Sequence, residues 1–235
     1  MSVKSCIDRY IKEEYGSITP ETAFVGKLLF NNVKGKVLDF GCGPSLLYWA
    51  MFMQNATSID AFDILSENIE YLKNLLVKSK KPEIYYKLAD WLLTHGLAAN
   101  PYSKKDKSLV MDAFKKIGKL KVANILKSLP FKKKYDYVTE IGCIGCVNSE
   151  SELLIAVKNM YARLKKDGSA LFVNWLARRT DIAEEVPQFD GMAPISIAIF
   201  KKVFKKAGFR NIKLAYKKNK ADTGFATIIY GTAKR

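Results

Sequence analysis

Asp39-Phe40-Gly41-Cys42-Gly43-Pro44-Ser45 carries the sharpest chemical signal in the 235-residue chain. The apolar run Lys36–Phe40 reads as a buried strand that enters Gly-x-Gly and then a helix. Glycines at such a turn let the backbone approach a ligand closely, and a helix start offers unpaired N–H groups. There is no third glycine at the dinucleotide spacing and no Gly-Lys-Ser/Thr, so the turn is neither an NAD fingerprint nor a P-loop. Asp39 would repel a pyrophosphate and suits a cationic or hydroxyl-bearing ligand. A second strand-like run, Thr57–Phe62, leads to Asp63, 20 positions after Gly43, with Asp60 at 17. A carboxylate at the end of a second strand can accept both hydroxyls of a ribose. Either acid also suits the N-cap of the next helix.

Other residues carry weaker signals. Glu140 ends a strand-like run and could accept a proton or orient an amine, or serve as a structural carboxylate. Cys143 and Cys146 form C-x-x-C, readable as a redox pair or half a metal site. Without a second such pair, they read better as small residues in a loop beside the reaction site, and no metal is expected. His95, the only histidine, reads as an ordinary loop residue or a general base. Arg178 and Arg179 suit a carboxylate or phosphate on a substrate, or a solvated surface. Trp175 reads as a stacking wall or as core.

The elements that must position these residues alternate. Helical runs at 5–15 and 20–33 precede the first strand, the second of them capped by Thr19 with Pro20 at its first position. Helices at Ser45–Gln54 and Glu67–Lys78 flank the second strand, and Ile84–Leu88 reads as the third. The alternation then stalls, with Leu109, Ala113, Ile117 and Leu120 marking one amphipathic helix. Tyr135–Ile141 and Ser169–Trp175 read as strands four and five around a helix at Glu150–Leu164. After a helix at Ser196–Ala207, Asn211–Tyr216 and Phe225–Thr232 read as an antiparallel hairpin. This is an α/β pattern: a Rossmann-like, seven-stranded, mostly parallel sheet with an antiparallel C-terminal edge hairpin.

These residues resemble the signature of class I S-adenosylmethionine-dependent methyltransferases, Asp-x-Gly-x-Gly after strand one and an acid ending strand two. Leu164-Lys165-Lys166-Asp167-Gly168-Ser169 is similar to that family's turn before strand five. The chain further resembles the group of nicotinamide, phenylethanolamine and thioether methyltransferases. That resemblance rests on Tyr10 and Tyr15 before Gly16-Ser17, on Gly41-Cys42-Gly43-Pro44-Ser45, and on Asp63 followed by Asn68. It implies S-adenosylmethionine as cofactor, bound through Asp39, Gly41, Gly43 and Ser45. Asp63 would hold the ribose with Asn68 nearby. Tyr10 and Tyr15 would cover the methionine end, with Tyr10 counted beside Glu140 as a catalytic candidate. The group's adenine-side acid aligns with Asn124, next to Ile125; Asp90, directly after the expected third strand, is the rival. The resemblance also implies a helical lid over 1–33 and a helical insertion over 98–122, within a single domain of 1–235.

The chain departs from the group where the acceptor would bind. Leu47 precedes Tyr48 where the group has tyrosine one position earlier, and Asn174-Trp175-Leu176-Ala177-Arg178-Arg179 replaces an Asp and Tyr pair. Asn174, Trp175, Arg178 and Arg179 are therefore the substrate-side candidates. The expected activity is methyl transfer to nitrogen or sulfur of a small molecule, with an anionic acceptor worth testing.

Composition narrows the alternatives. Lys+Arg 39 against Asp+Glu 23 gives +16, and 33 of the 39 are lysines, dispersed over helix ends and turns. That keeps an RNA methyltransferase as the alternative, beside a non-catalytic cofactor-binding protein. No apolar run approaches the roughly 20 residues of a membrane helix. The first residues lack a secretory apolar core and four cysteines are too few for a disulfide scaffold, so the expected location is cytoplasmic.

Overall fold

Pro20–Asn32 forms helix α1, and its start is encoded locally: Thr19 accepts from the Thr22 N–H at 3.1 Å. The computed structural model describes residues 18–78, 81–98, 108–177, 196–218 and 225–235. Seven strands follow the order β3-β2-β1-β4-β5-β7-β6. The chain divides into two compact units at Ala123/Asn124.

In the first unit, β1 (Lys34–Phe40) pairs parallel to β2 (Asn55–Asp63), and β2 pairs parallel to β3 (Ile117–Val122). A short 3₁₀ turn at Gly43–Ser45 leads into α2 (Leu46–Ala50), followed by α3 (Ser66–Val77), α4 (Glu83–Thr94) and α5 (Ser108–Lys115). Val37, Leu38 and Phe40 of β1 and Ile59, Ala61 and Phe62 of β2 are buried, as strands covered on both faces require.

Three expectations are corrected here. Ile84–Leu88 is not a strand but the first half of α4, whose buried Tyr85, Leu88, Ala89 and Leu92 follow helical spacing. The third strand lies 33 residues later, so Asp90 sits exposed on a helix and follows no strand. The region 98–122 is not wholly helical: α5 ends at Lys115, and Ile117–Val122 joins the sheet. Lys81 is buried (3% exposed) rather than solvated. Its ammonium donates to Leu75 O, Leu76 O and Lys78 O at 2.7–3.0 Å, closing the C-terminus of α3.

In the second unit, β4 (Tyr135–Ile141) pairs parallel to β5 (Leu164–Ala177), and β7 (Phe225–Lys234) runs antiparallel between β5 and β6 (Arg210–Lys218). Between Leu164 and Ser169 the register jumps, and Lys165–Gly168 loops out with Asp167 at φ 63°. Helices α6 (Glu150–Arg163) and α7 (Ile197–Lys206) pack on one another and start at the caps Ser149 and Ser196. Phe172 of β5 and Phe200, Phe204 and Phe209 form an aromatic layer under α7. The helical expectation for 5–15 and the Lys217–Gly224 turn beyond Lys218 lie outside the described residues. Among the described residues no helix is long and apolar enough to cross a membrane.

Candidate functional site

The end of β1 turns on two left-handed glycines, Gly41 (φ 61°) and Gly43 (φ 54°). Non-glycine residues adopt this region only at about 1–2 kcal/mol, which explains the residue type. A Cβ built at Gly43 would meet nothing closer than Ser45 Oγ at 3.7 Å, so space beside the turn is open. Cys42 N–H donates to Phe62 O at 2.9 Å, and Gly43 N–H donates to Asp63 Oδ2 at 2.8 Å. The glycine turn is thereby bolted to the end of β2.

Asp63, 7% exposed, is the hub. Its Oδ1 accepts from Leu65 N–H (2.9 Å) and from Asn68 Nδ2 (3.1 Å). A carboxylate offers about four lone-pair positions. The described donors take both on Oδ1 and one on Oδ2, which leaves one on Oδ2 for a ligand hydroxyl. Asp39 is buried at the end of β1, in register with Ala61, and Ser45 Oγ donates to Cys42 O at 3.4 Å.

Asp60 separates cleanly from Asp63. Its Oδ1 accepts from Lys119 N–H at 2.7 Å, inside the β2–β3 register shift. A Cβ on Gly118 would come within 2.4 Å of that oxygen. Asp60 therefore fastens an irregular strand.

Two residues without a sequence-derived role stand out beside Asp63. Ile64 (60% exposed) follows it directly, and Val122 (52% exposed) is the in-register partner of Asp63. Exposed apolar side chains flanking a carboxylate suit a flat ring above a ribose. The available signal was an apolar residue immediately after a strand-ending acid.

In the second unit, Glu140 and Asn174 are both fully buried (0% exposed). Glu140 Oε1 accepts from Cys143 N–H and from Ile144 N–H (2.8 Å). Its Oε2 accepts from Asn174 Nδ2 at 2.7 Å, and Asn174 Oδ1 accepts from Gly145 N–H at 2.8 Å. Trp175 lies against Gly142: a Cβ there would be 3.0 Å from Trp175 Cζ3. Cys146 Sγ donates to Gly142 O at 3.2 Å. Although the residue is largely exposed, partial burial of the sulfur and then the Glu140 charge push this thiol up to about 11. Cys42, Cys143 and Cys146 are free thiols, and no cluster among the described residues could hold a metal.

Asn124 does follow β3, and its Oδ1 accepts from Leu126 N–H at 2.8 Å in a tight turn with Ile125 inside it. His95 follows a helix and not a strand; it lies in the turn that caps α4 and stacks on Trp91. Tyr10, Tyr15, Arg178 and Arg179 lie outside the described residues.

A family model described as a methyltransferase domain matches residues 7–214. The chain belongs to that family. The methyltransferase is thus an enzyme, and S-adenosylmethionine is its cofactor. No curated protein matches the sequence. Solved structures match the fold across nearly the whole chain. The N-methyltransferase NodS from Bradyrhizobium japonicum WM9, in complex with S-adenosyl-L-homocysteine, is 8% identical with a TM-score of 0.60. That match covers 100% of this chain and 99% of the other. A TehB-like methyltransferase from Corynebacterium glutamicum is 12% identical, TM-score 0.57, covering 99% and 98%. A methyltransferase from Methanosarcina mazei is 15% identical, TM-score 0.56, covering 92% and 97%. At such identities the likeness is one of fold.

Proposed function

We propose that this methyltransferase, read as one catalytic domain over 1–235, methylates nitrogen or sulfur of a small-molecule acceptor. The observation that carries the reading is the Asp63 hub. It ties the glycine turn to Asn68 and keeps one acceptor for a ribose hydroxyl. Ile64 and Val122 flank the adenine, with Asn124 and Ile125 at its rim. Asp39 and Ser45 support the turn from within the first unit. The resemblance to the nicotinamide and thioether group supplies Tyr10 and Tyr15 as the closing lid of 1–33. In the second unit Trp175 forms an acceptor wall, and Arg178 and Arg179 meet an acceptor anion.

The bound sulfonium supplies a methyl group already activated for displacement. The protein's contribution is therefore in-line positioning and exclusion of water. The acceptor lone pair forms the new bond to the methyl carbon as the carbon–sulfur bond breaks and its electron pair returns to sulfur. A pyridine or thioether needs no base for this step, and a protonated amine does. Glu140-Ile141-Gly142-Cys143 stands where methylases of base amino groups carry Asn/Asp-Pro-Pro-Tyr/Phe, which speaks against those acceptors.

RNA remains the second reading, favoured by the distribution of charge. From Asn124 onward there are 21 Lys and Arg against 10 Asp and Glu, which leaves +11 of the +16 in that part. Incubation with methyl-labelled cofactor and parallel pools of amines, pyridines, thioethers, organic acids and total RNA separates the two. Label is expected in a small-molecule pool; label in RNA alone overturns the proposal.

A further inference from the structure

We infer that Glu140 and Asn174 form one polarised clamp that sets the 142–146 turn, and that Glu140 is a positioning residue rather than a proton acceptor. The part of the inference that concerns the acceptor rests on the methyl-transfer reading above. Three consecutive backbone N–H groups, of Cys143, Ile144 and Gly145, point at these two side chains. Glu140 receives two of them on Oε1 and the Asn174 amide on Oε2. That bond orients the Asn174 amide, so its oxygen is left for Gly145.

With these two side chains the circuit has one polarity. Glu140 accepts from three donors, and Asn174 donates on one side and accepts on the other. A general base needs an oxygen within reach of the acceptor's proton. Both Glu140 oxygens already accept hydrogen bonds, and the residue is 0% exposed, out of an acceptor's reach. Gly142 and Gly145 show how closely the turn is held: an added Cβ would approach Trp175 to 3.0 Å and Asn174 Oδ1 to 2.7 Å. The clamp thus fixes the turn against Trp175, the proposed acceptor wall.

The circuit predicts a specific pattern of failure and rescue. E140Q sets an amide N–H₂ against the Asn174 amide or against backbone donors. N174D buries two facing carboxylates. E140Q/N174D restores these four bonds and the same net charge: the amide oxygen at 140 takes the two turn N–H groups, its nitrogen donates to the carboxylate at 174, and that carboxylate accepts from Gly145.

Hydrogen exchange at Cys143, Ile144 and Gly145 reads the clamp directly. Exchange should accelerate about tenfold or more in each single variant and return to within about threefold of the parent in the double variant. A second arm measures methyl transfer from labelled S-adenosylmethionine to an equimolar pool of pyridine, benzylamine and dimethyl sulfide. The single variants should lose kcat while their affinity for S-adenosyl-L-homocysteine stays within about threefold. The double variant should recover both kcat and the parent's pH profile. Unchanged exchange in the single variants, or a double variant as slow as E140Q with one limb of the pH profile missing, overturns the inference. A parent that labels nothing in the pool overturns the small-acceptor reading, and the exchange arm still decides the clamp.

Discussion

Asp63 and Glu140 are alike at first inspection. Each is an acid at the end of a parallel strand, each is buried, and each accepts backbone N–H groups from a glycine-bearing turn. They differ in exposure and in what lies beside them. Asp63 is 7% exposed and has Ile64 and Val122 uncovered beside it. Glu140 is fully buried and passes its remaining oxygen to a side-chain amide. The same local chemistry therefore stands beside uncovered apolar side chains in one place and wholly inside the fold in the other.

The contrast is broken most severely by alanine at the two positions. Asp63→Ala should weaken S-adenosyl-L-homocysteine by about a hundredfold in calorimetric titration, because charge-assisted bonds to ribose are lost. Glu140→Ala should leave that affinity within a few-fold but strand three buried donors. It should lower the urea-derived unfolding free energy by about 3 kcal/mol or more. Equal effects of the two substitutions on cofactor affinity would erase the distinction.

The glycines sharpen it at a smaller scale. Gly145→Ala forces a methyl to 2.7 Å from Asn174 Oδ1 and should cost about 1–3 kcal/mol of stability with unchanged cofactor affinity. Gly43→Ala has room but the wrong φ, and should cost about 1–2 kcal/mol while also weakening the cofactor. Smaller still is Asp60→Ala, expected to remove about 1 kcal/mol through Lys119 N–H and to leave cofactor affinity within about twofold. Affinity loss matching that of Asp63→Ala would return Asp60 to the site.

The smallest effect is one of pH. The Cys146 thiol sits near 11 in the fold against an ordinary 9.0. The folded state therefore holds this proton where the unfolded state has lost it. The contribution is intact below pH about 9 and is lost as pH rises through about 11. Melting temperatures taken across that window should fall less steeply in Cys146→Ser than in the parent. Tyr48 and Tyr137, whose phenols burial also pushes up, keep the residual slope in both.

Much of this was legible where the signal is local. Thr19 caps α1, the 135–141 strand has its expected ends, and the 20-residue spacing from Gly43 to Asp63 is a hydrogen bond. The third strand was not legible, for a physical reason. Ile84-Tyr85-Tyr86-Lys87-Leu88 is rich in strand-favouring residues, but Tyr85, Leu88, Ala89 and Leu92 repeat at helical spacing and bury one face of α4. The true strand, Ile117–Val122, buries Leu120 alone on its covered face and contains Gly118. It continued the helical spacing of Leu109 and Ala113 by coincidence. Nothing in the neighbours of Lys81 announces the three carbonyls that fold around its ammonium.

By itself, the sequence determined the α/β class, the glycine turn and the two acids that could serve it. All of these rest on short-range rules of φ, capping and period. Only the tertiary structure decided which acid accepts from the glycine turn, Asp60 or Asp63, and which donors the Glu140 oxygens meet. Those outcomes depend on partners 29 to 59 residues away in the chain: Lys119 N–H donates to Asp60, Asn174 donates to Glu140, and Gly145 N–H donates to Asn174. No spacing rule carries that information; the sheet that brings the strands together does.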